Sequence, residues 1–208
     1  ENNLDQFIHI SALGIDQAKD SKYAKSKLDG EQKIKENFEQ ATILRPSVIY
    51  SVDDNFTTKF MTMLNLLPFF PLYYNGKTKF IPIHVSEVSD IILHIIEKNI
   101  SSEIIECVGS QEYSFKEILQ KLLQLINKNK ILIPLPLMIG KIMARFLEMF
   151  PKPLLTLDQL KLLNYNNILS GRYKSNFDIG LEPKLKFEEE VAKYCYMWKD
   201  GGEYSKEI

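Results

Sequence analysis

A tyrosine and a lysine lie four residues apart near the start of the chain, and a serine precedes them. Tyr23 and Lys27 fall in a stretch with the pattern of a helix, and Ser11 ends the apolar run at residues 7–10. Four residues make about one helical turn, so the phenol and the ammonium should project from the same face. A nearby ammonium stabilises tyrosinate and lowers the pKa of the phenol from about 10. The three side chains could therefore move a proton to or from a carbonyl or hydroxyl group that the serine holds.

The four-residue spacing of a tyrosine and a lysine is a weak signal when taken alone. Tyr73 and Lys77 have the same spacing, but Gly76 lies between them and predicts a turn. An ordinary amphipathic helix with a surface lysine and a half-buried tyrosine would also contain the first pair. The position of Tyr23 and Lys27, after an apolar strand that ends in a serine, is what favours a functional site there.

The composition is that of an ordinary globular protein. Of the 208 residues, 45% are hydrophobic and 25% are charged, and the net charge of −1 gives no indication of a nucleic-acid partner. Cys107 and Cys195 are isolated and the three histidines are dispersed, so we expect neither a metal site, a disulfide framework nor secretion. The longest uncharged apolar stretch, residues 131–140, is about half of the ~20 residues that a membrane-spanning helix needs.

The first fifty residues predict a βαβ unit. An apolar strand at residues 6–10, a helix at 22–36 and a second strand at 41–44 give two parallel strands joined by a right-handed crossover. Arg45-Pro46 should end the second strand, because proline cannot continue the ladder of hydrogen bonds.

The rest of the chain alternates between strands and helices and then becomes mainly helical. Asn75-Gly76, between β-rich runs at residues 72–74 and 80–85, predicts a hairpin. Other predicted elements are a helix at 57–67, a helix at 86–98 with Ser86 as N-cap, a strand at 104–108, and helices at 114–127, 136–149, 156–164 and 187–198. We therefore expect an α/β part at residues 1–110, with an insertion at about 50–82 on the substrate side, and a mainly helical lobe at 111–208.

Several short motifs surround the tyrosine and lysine and extend over nearly the whole chain. They are His9-Ile10-Ser11-Ala12, Ser21-x-Tyr23-x-x-Ser26-Lys27-x-x-Gly30-Glu31, Ala41-Thr42-Ile43-Leu44-Arg45-Pro46-Ser47, Pro71-Leu72, Val85-x-Glu87-Val88, Leu154-x-Thr156-x-Asp158-Gln159 and Asn166-Asn167. Together they resemble the short-chain dehydrogenase/reductase superfamily in its extended and atypical branch. Within that branch the chain is similar to the NAD(P)-binding accessory subunits of respiratory complex I and their bacterial relatives.

The resemblance implies an α/β fold, in which the C-terminal part of a Rossmann-like parallel sheet is followed by a mainly helical smaller lobe. It implies that Tyr23 is the acid/base group beside the nicotinamide of NAD(P)(H), that Lys27 contacts the nicotinamide ribose, and that Ser11 orients a carbonyl or hydroxyl. The residues that would bind the cofactor are Tyr23, Lys27, Pro46, Ser47 and Val48, the last three through their backbone.

The glycine-rich turn that holds the pyrophosphate in this superfamily is missing from the 208 residues. In the family that turn lies upstream of the stretch with which this chain opens. Because the chain begins at Glu1, not Met, and enters a strand almost at once, we expect that the N-terminal nucleotide-binding half is absent. The chain alone should then bind NAD(P)H weakly or not at all. The strand at 6–10 should be an apolar sheet edge that pairs with a second copy or with the absent half.

Three functions are compatible with these residues. The resemblance implies an NAD(P)(H)-binding accessory or assembly-type subunit of complex I with little or no turnover, in the cytoplasm or on the matrix side and peripheral to the inner membrane. The complete triad of Ser11, Tyr23 and Lys27 would also suit an active NAD(P)-dependent epimerase, dehydratase or reductase. The third function is a scaffold that uses the fold without a cofactor.

Residues 135–150 form an amphipathic stretch of their own. Lys141, Arg145 and Glu148 lie on one side of the predicted helix. The apolar residues of the other side are Ile139, Ile142, Met143, Phe146 and Phe150. Such a helix could dock on a membrane surface or on another subunit of complex I. It could equally be a core helix of the C-terminal lobe.

Overall fold

Ten short strands occur in the residues that the computed structural model describes, 4–151 and 153–204. In chain order they are Ile8–Ile10 (β1), Thr42–Pro46 (β2), Ile49–Tyr50 (β3), Phe69–Leu72 (β4), Lys79–Phe80 (β5), Ile83–His84 (β6), Ile104–Cys107 (β7), Tyr113–Ser114 (β8), Ile131–Pro134 (β9) and Lys174–Ser175 (β10). Four of them form a parallel sheet in the order β1–β2–β7–β10, and the others pair as β3–β6, β4–β9 and β5–β8. The parallel sheet confirms the predicted α/β fold class.

Seven α-helices accompany the strands in the described part of the chain. They are Lys22–Asn37 (α1), Thr57–Leu66 (α2), Val85–Glu97 (α3), Phe115–Leu125 (α4), Leu137–Leu147 (α5), Leu157–Leu162 (α6) and Phe187–Ala192 (α7). Each corresponds to a predicted helix. The helix predicted at 187–198 is in fact α7 followed by a separate 3-10 turn at Cys195–Trp198.

Helices α1 and α3 cover opposite faces of the parallel sheet, and neighbouring residues of β2 show this. Side chains of a strand alternate between its two faces. Arg45 is hydrogen-bonded to Glu31 of α1, whereas Leu44 packs in an apolar cluster with Ile91 and Ile95 of α3. The predicted βαβ unit of β1, α1 and β2 is therefore present, with β1 and β2 parallel.

Local capping explains where several helices begin. Ser21 is the N-cap of α1 and accepts a hydrogen bond from the Ala24 amide. The predicted capping box of Ser114 and Glu117 is present at α4. The N-cap of α3 is His84, whose ring nitrogen accepts from the Ser86 amide, so the prediction of Ser86 as N-cap was wrong by two residues.

The hairpin predicted around Asn75-Gly76 is wrong. Tyr73–Gly76 is a 3-10 turn with positive φ at Tyr74 and Asn75, and the strands on either side do not pair with each other. Instead, β4 pairs in parallel with β9, and β5 pairs antiparallel with β8. Both partner strands belong to the helical lobe, so this segment joins that lobe.

The end of β2 lies two residues beyond the predicted bound at residue 44. The strand includes Arg45 and ends at Pro46, so the prediction that Arg45-Pro46 ends it is confirmed. Pro46 is its last residue, where the missing N–H breaks the ladder least, and the Pro46 carbonyl still accepts a hydrogen bond from the Leu13 amide at 2.9 Å. The cross-strand pairing with β7 reaches Cys107.

Residues 50–80 and the C-terminal part of the chain together build a second apolar core, and the C-terminal part also returns to the main sheet. Helices α2, α4 and α7 and the turn at Cys195–Trp198 enclose the largest cluster of buried apolar side chains. Beyond them, β10 pairs with β7 as the fourth strand of the parallel sheet. The predicted domain boundary between residues 110 and 111 stays a prediction. Strand β10 follows this boundary in sequence but belongs to the same sheet as β1, β2 and β7, which precede it.

Helix α5 presents its large apolar side chains to solvent. The small residues Gly140 and Ala144 are its buried positions, and a Cβ atom at Gly140 would lie 2.3 Å from the Tyr73 ring. The exposed apolar side chains of α5 and of the three residues that follow it include Met138, Ile139, Ile142, Met143, Phe146, Met149 and Phe150. The alternative that α5 is a core helix is therefore wrong for its large apolar side chains, because the helix packs against the rest of the protein through Gly140 and Ala144. In the described residues no helix is both long and apolar enough to cross a membrane.

Candidate functional site

The carboxyl ends of β1 and β2 open on a cavity of about 700 Å³ between the sheet and the helical lobe. Loops that leave parallel strands meet at this edge of a sheet, which is where such folds commonly bind ligands. Of the residues predicted to form a site, those that line the cavity are Ser11, Tyr23, Pro46, Ser47 and Val48. Lys27 lies next to it, one helical turn from Tyr23.

Ser11 is fixed by its backbone and unsatisfied at its side chain. Its amide donates to the Leu44 carbonyl at 2.7 Å, which extends the pairing of β1 with β2 by one step. The residue is 4% exposed, and its Oγ is buried without a hydrogen-bond partner among the described residues. A buried hydroxyl without a partner is unusual, because desolvation without a replacement bond costs free energy. Ser11 is one of the residues that line the cavity.

Tyr23 and Lys27 share one face of α1, as their spacing predicts. The Lys27 ammonium lies 5.9 Å from the centre of the Tyr23 ring and donates to the Ile10 carbonyl at 3.3 Å. The Tyr23 side chain remains 45% exposed. Partial burial nevertheless raises the pKa of the phenol. This direction is opposite to the predicted one, because desolvation outweighs an ammonium that is directed at a carbonyl.

Asp158, at the start of α6, holds the first turn of α1. Its carboxylate accepts from the Ser21 hydroxyl at 2.8 Å and from the amides of Lys22 and Tyr23 at 2.8 and 3.0 Å. Burial raises the pKa of this carboxyl, but the bonds from Tyr23, Lys22 and Ser21 outweigh it and lower the pKa overall. A negative charge at a helix N-terminus is favourable. The helical lobe thereby sets the position of Tyr23.

Asn167 joins the loops that follow β1 and β2. Its side-chain oxygen accepts from the Ser47 hydroxyl at 2.6 Å and from the Val48 amide at 3.0 Å, and its side-chain nitrogen donates to the Leu13 carbonyl at 2.8 Å. These bonds occupy the Ser47 hydroxyl and the Val48 amide. Ser47 and Val48 therefore contribute mainly van der Waals surface to the cavity, and the Ser47 hydroxyl and the Val48 amide are not free to bind a ligand.

A buried ion network lies behind the site, on the α1 side of β2. The Arg45 guanidinium donates to both oxygens of Glu31, at 2.8 and 2.6 Å, and to Asp16 at 2.8 Å. Arg172 also pairs with Asp16 at 2.8 Å, and the Tyr173 ring lies 4.7 Å from the Arg45 guanidinium carbon. Burial would lower the pKa of Arg45, but the carboxylates of Glu31 and Asp16 raise it above its usual range.

Sequence reasoning did not find the roles of Asp158, Asn167 and the Glu31–Arg45 pair. All four residues stand in the motifs that carried the resemblance. The signal that could have found Asp158 is the capping box of Thr156 and Gln159 at α6, which places the intervening Asp158 in the exposed first turn of that helix. Nothing in the local sequence connects Asn167 with residues more than a hundred positions earlier.

The residues at this end of the cavity suit the nicotinamide end of a dinucleotide. The cavity is lined here by Tyr23, by residues 46–48 and by Ser11, whose hydroxyl is unsatisfied. A bound nicotinamide supplies or accepts a hydride, and the Tyr23 phenol could hold the accompanying proton. No cluster of three or more His, Cys, Asp or Glu suited to a metal ion occurs within the described residues.

A family model, the RmlD substrate binding domain, matches residues 17–136. The chain belongs to this family. The match includes Tyr23, Lys27 and the loop after β2, and it extends through α4 and β9.

The curated relatives of this member of the family include mitochondrial subunits of NADH dehydrogenases. The 40 kDa subunit of NADH-ubiquinone oxidoreductase from Neurospora crassa is 25% identical over 197 residues, which are 93% of this chain and 50% of that subunit. Subunit 9 of the NADH dehydrogenase (ubiquinone) 1 alpha subcomplex from Mus musculus is 25% identical over 205 residues, with 95% and 54% covered. The chain thus spans about half the length of the curated relatives it matches.

Solved structures with the same fold include two sugar-nucleotide enzymes. A UDP-glucuronic acid 4-epimerase from Bacillus cereus, in complex with UDP-glucuronic acid and NAD, aligns with a TM-score of 0.60 at 19% identity, over 94% of this chain and 62% of the enzyme. A dTDP-glucose 4,6-dehydratase from Bacillus anthracis, in complex with NAD, aligns with a TM-score of 0.60 at 16% identity, over 95% and 62%. At these identities the likeness shows the fold alone.

Proposed function

We propose that the protein is an NAD(P)(H)-binding accessory subunit of an NADH dehydrogenase of the complex I type, with little or no turnover of its own. The observation that carries the proposal is the match of 93–95% of the chain to subunits of such complexes. The cavity with Ser11, Tyr23 and the backbone of residues 46–48 supports the part that concerns the cofactor. On this proposal the dinucleotide stabilises the fold, and the protein lies at the matrix or cytoplasmic side of the complex.

Binding of the cofactor is tested by calorimetry with NADPH and NADH on the complete natural protein. We expect binding there, and weak or no binding to the 208-residue chain alone, because its sequence has no glycine-rich turn for the pyrophosphate. Submicromolar binding to the 208-residue chain alone would contradict the second expectation. Absence of binding to the complete protein would favour a scaffold that needs no cofactor.

Membership of the complex is tested by native electrophoresis of membranes that contain the tagged complete protein. We expect the protein to migrate with NADH dehydrogenase activity. The exposed apolar side of α5 is the surface that we propose for docking on another subunit. Replacing Ile142 and Phe146, which are 68% and 62% exposed, by serine should release the protein, whereas Leu93→Ser on α3, where Leu93 is 56% exposed, should not.

Release of the Ile142 and Phe146 variant from the complex would leave one further question, whether the membrane surface itself binds α5. Flotation of the purified protein with vesicles of phosphatidylcholine and cardiolipin answers it. Co-flotation that both serine substitutions abolish would assign α5 to the membrane, and its absence would assign α5 to a subunit.

An active epimerase, dehydratase or reductase is the second candidate. The observation that favours it is the proximity of Ser11, Tyr23 and Lys27, with the Lys27 ammonium 5.9 Å from the Tyr23 ring. Tyr23→Phe in the complete protein should leave assembly intact and abolish any turnover. A turnover that this substitution does not change would speak against catalysis by Ser11, Tyr23 and Lys27.

The edge of the parallel sheet at β1 could also bind another strand. Within the described residues, β1 pairs on one side only, with β2, and its Ile10 side chain is 43% exposed. Unpaired strand edges readily pair with a further chain. We therefore propose that the 208-residue chain alone self-associates, and a strictly monomeric chain in light scattering would contradict this.

A further inference from the structure

One wall of the cavity is built from aromatic and aliphatic side chains. They belong to α2, β4, β5 and α4 and to residues beside α6. The bulky side chains of this wall include Phe56, Phe60, Phe70, Phe80, Phe115 and Leu163. Four of the phenylalanines, Phe56, Phe60, Phe70 and Phe115, touch through Phe60, with ring centres 5.1–5.9 Å apart. These contacts make the wall a rigid apolar surface.

The cavity offers little to a highly charged ligand. Among the described residues that line it, Lys59 is the one with a formal charge at neutral pH. Burial lowers the pKa of Lys59, so its environment disfavours even this charge. A diphosphate carries at least two negative charges, and binding it away from water requires several cations or donors to balance them. The walls therefore do not suit a sugar nucleotide.

A buried polar group of one residue that lines the cavity lacks a partner. The Ser11 Oγ is buried without a hydrogen bond among the described residues, and the Tyr23 phenol lines the same cavity. The neighbouring polar side chains of Ser47 and Asn167 are already bonded to each other at 2.6 Å. A ligand oxygen beside it would satisfy the Ser11 hydroxyl, which is the interaction the protein itself leaves open.

We infer that the cavity binds an apolar molecule with a single carbonyl or hydroxyl group at one end. The oxygen lies against Ser11 and Tyr23, and the hydrocarbon body lies along Phe60 and Phe115. A volume of about 700 Å³ is within the range of small-molecule sites, and it accommodates such a body beside a nicotinamide. The inference deepens the proposed function, on which it rests for the position of the dinucleotide, and it involves no chemical step.

The test uses 2-decanone labelled with ¹³C at the carbonyl and the complete natural protein. Titration followed by NMR reports the affinity, and the carbonyl shift reports a hydrogen bond to the ketone oxygen. We expect saturable binding with a downfield carbonyl shift, and no comparable binding of UDP-glucose. Ser11→Ala should weaken binding about fivefold to tenfold and reduce the downfield shift, since one hydrogen bond is worth about 1 kcal/mol.

Matched phenylalanine variants locate the hydrocarbon body. Phe60→Leu shortens the wall of the cavity and should weaken binding, whereas Phe69→Leu changes a phenylalanine of β4 that is 46% exposed and does not line the cavity. The inference is overturned if 2-decanone does not bind, if UDP-glucose binds instead, or if Ser11→Ala and Phe60→Leu leave the affinity unchanged. NADPH binding and migration with the complex are measured on the same samples, so loss of the proposed function would be seen separately.

Discussion

Replacing Glu31 by glutamine removes one charge from the buried ion network behind the site. Both oxygens of Glu31 accept from Arg45, at 2.8 and 2.6 Å, and the two side chains are 7% and 3% exposed. In the variant the guanidinium stays buried and charged, and Asp16 alone balances it at 2.8 Å. The amide of glutamine can accept one bond from Arg45 but supplies no charge.

The magnitude follows from the geometry of the pair. Removing one partner of a buried ion pair costs about 3–5 kcal/mol, because the other charge is left in a medium of low polarity. Asp16 keeps the guanidinium partly compensated, so we expect a value near the lower limit, about 3 kcal/mol. In a protein of this size that corresponds to a decrease in Tm of about 6–12 °C.

Urea unfolding followed by far-UV circular dichroism measures this loss. The control is Asp29→Asn, an exposed carboxylate of the same helix that takes part in no ion pair among the described residues. Replacing the pair as a whole, with Glu31→Leu and Arg45→Met together, should cost less than Glu31→Gln alone, since the remaining charge, Asp16, keeps its ion pair with Arg172. A loss below about 1 kcal/mol for Glu31→Gln, as expected of a surface pair, would refute the reasoning.

Three further predictions concern single residues. Asp158→Asn should lower the free energy of unfolding by about 1 kcal/mol at pH 7. Because the pKa of Asp158 in the folded protein lies below its ordinary 3.8, the difference between the variant and the natural protein should vanish as the pH falls through that lower value. Urea titrations measure this difference, and one that stays constant with pH would contradict the prediction. Burial and Lys27 lower the pKa of His9, so the unfolded chain takes up this proton first and stability should fall as pH falls below 6.5; His9→Gln should reduce that slope. Gly109→Ala should lower the free energy of unfolding by about 3 kcal/mol, since its Cβ would lie 1.9 Å from the Pro82 carbonyl oxygen. Gly30→Ala within α1 should instead raise it by about 0.5–1 kcal/mol. Equal melting temperatures of the two variants would contradict both expectations.

Elements with a strong local pattern could be predicted from the sequence. The strands β1 and β2 are short apolar runs on either side of an amphipathic helix, and their pairing follows from the rules for βαβ units. The capping box at Ser114 is likewise a local device, since both partners lie within one helical turn. The convergence of Ser11 and Tyr23 on one cavity could be predicted for the same reason, because the βαβ unit itself brings them together.

Features that depend on distant residues could not be predicted in this way. Asn75-Gly76 is compatible with a hairpin, but β4 pairs with β9, whose Ile131 lies opposite Phe69, and β9 is too far along the chain for a local turn signal to indicate it. The pKa of Tyr23 depends on how far the surrounding chain desolvates the phenol, which spacing does not report. Amphipathicity identified α5 as a helix, but the small residues that pack against Tyr73 decided which side is exposed.

The bonds of Asn167 make the site a late product of protein synthesis. Asn167 reaches Leu13 across 154 positions and Ser47 across 120, and β10, which completes the parallel sheet, comes later still. A ribosome that has released only the first hundred residues has produced the βαβ unit with its tyrosine, lysine and serine, but not the residue that ties the two loops together. Contacts so far apart in sequence form slowly. A nascent chain therefore carries Ser11, Tyr23 and Lys27 well before it has a pocket, and a truncation before residue 167 would leave it permanently in that state.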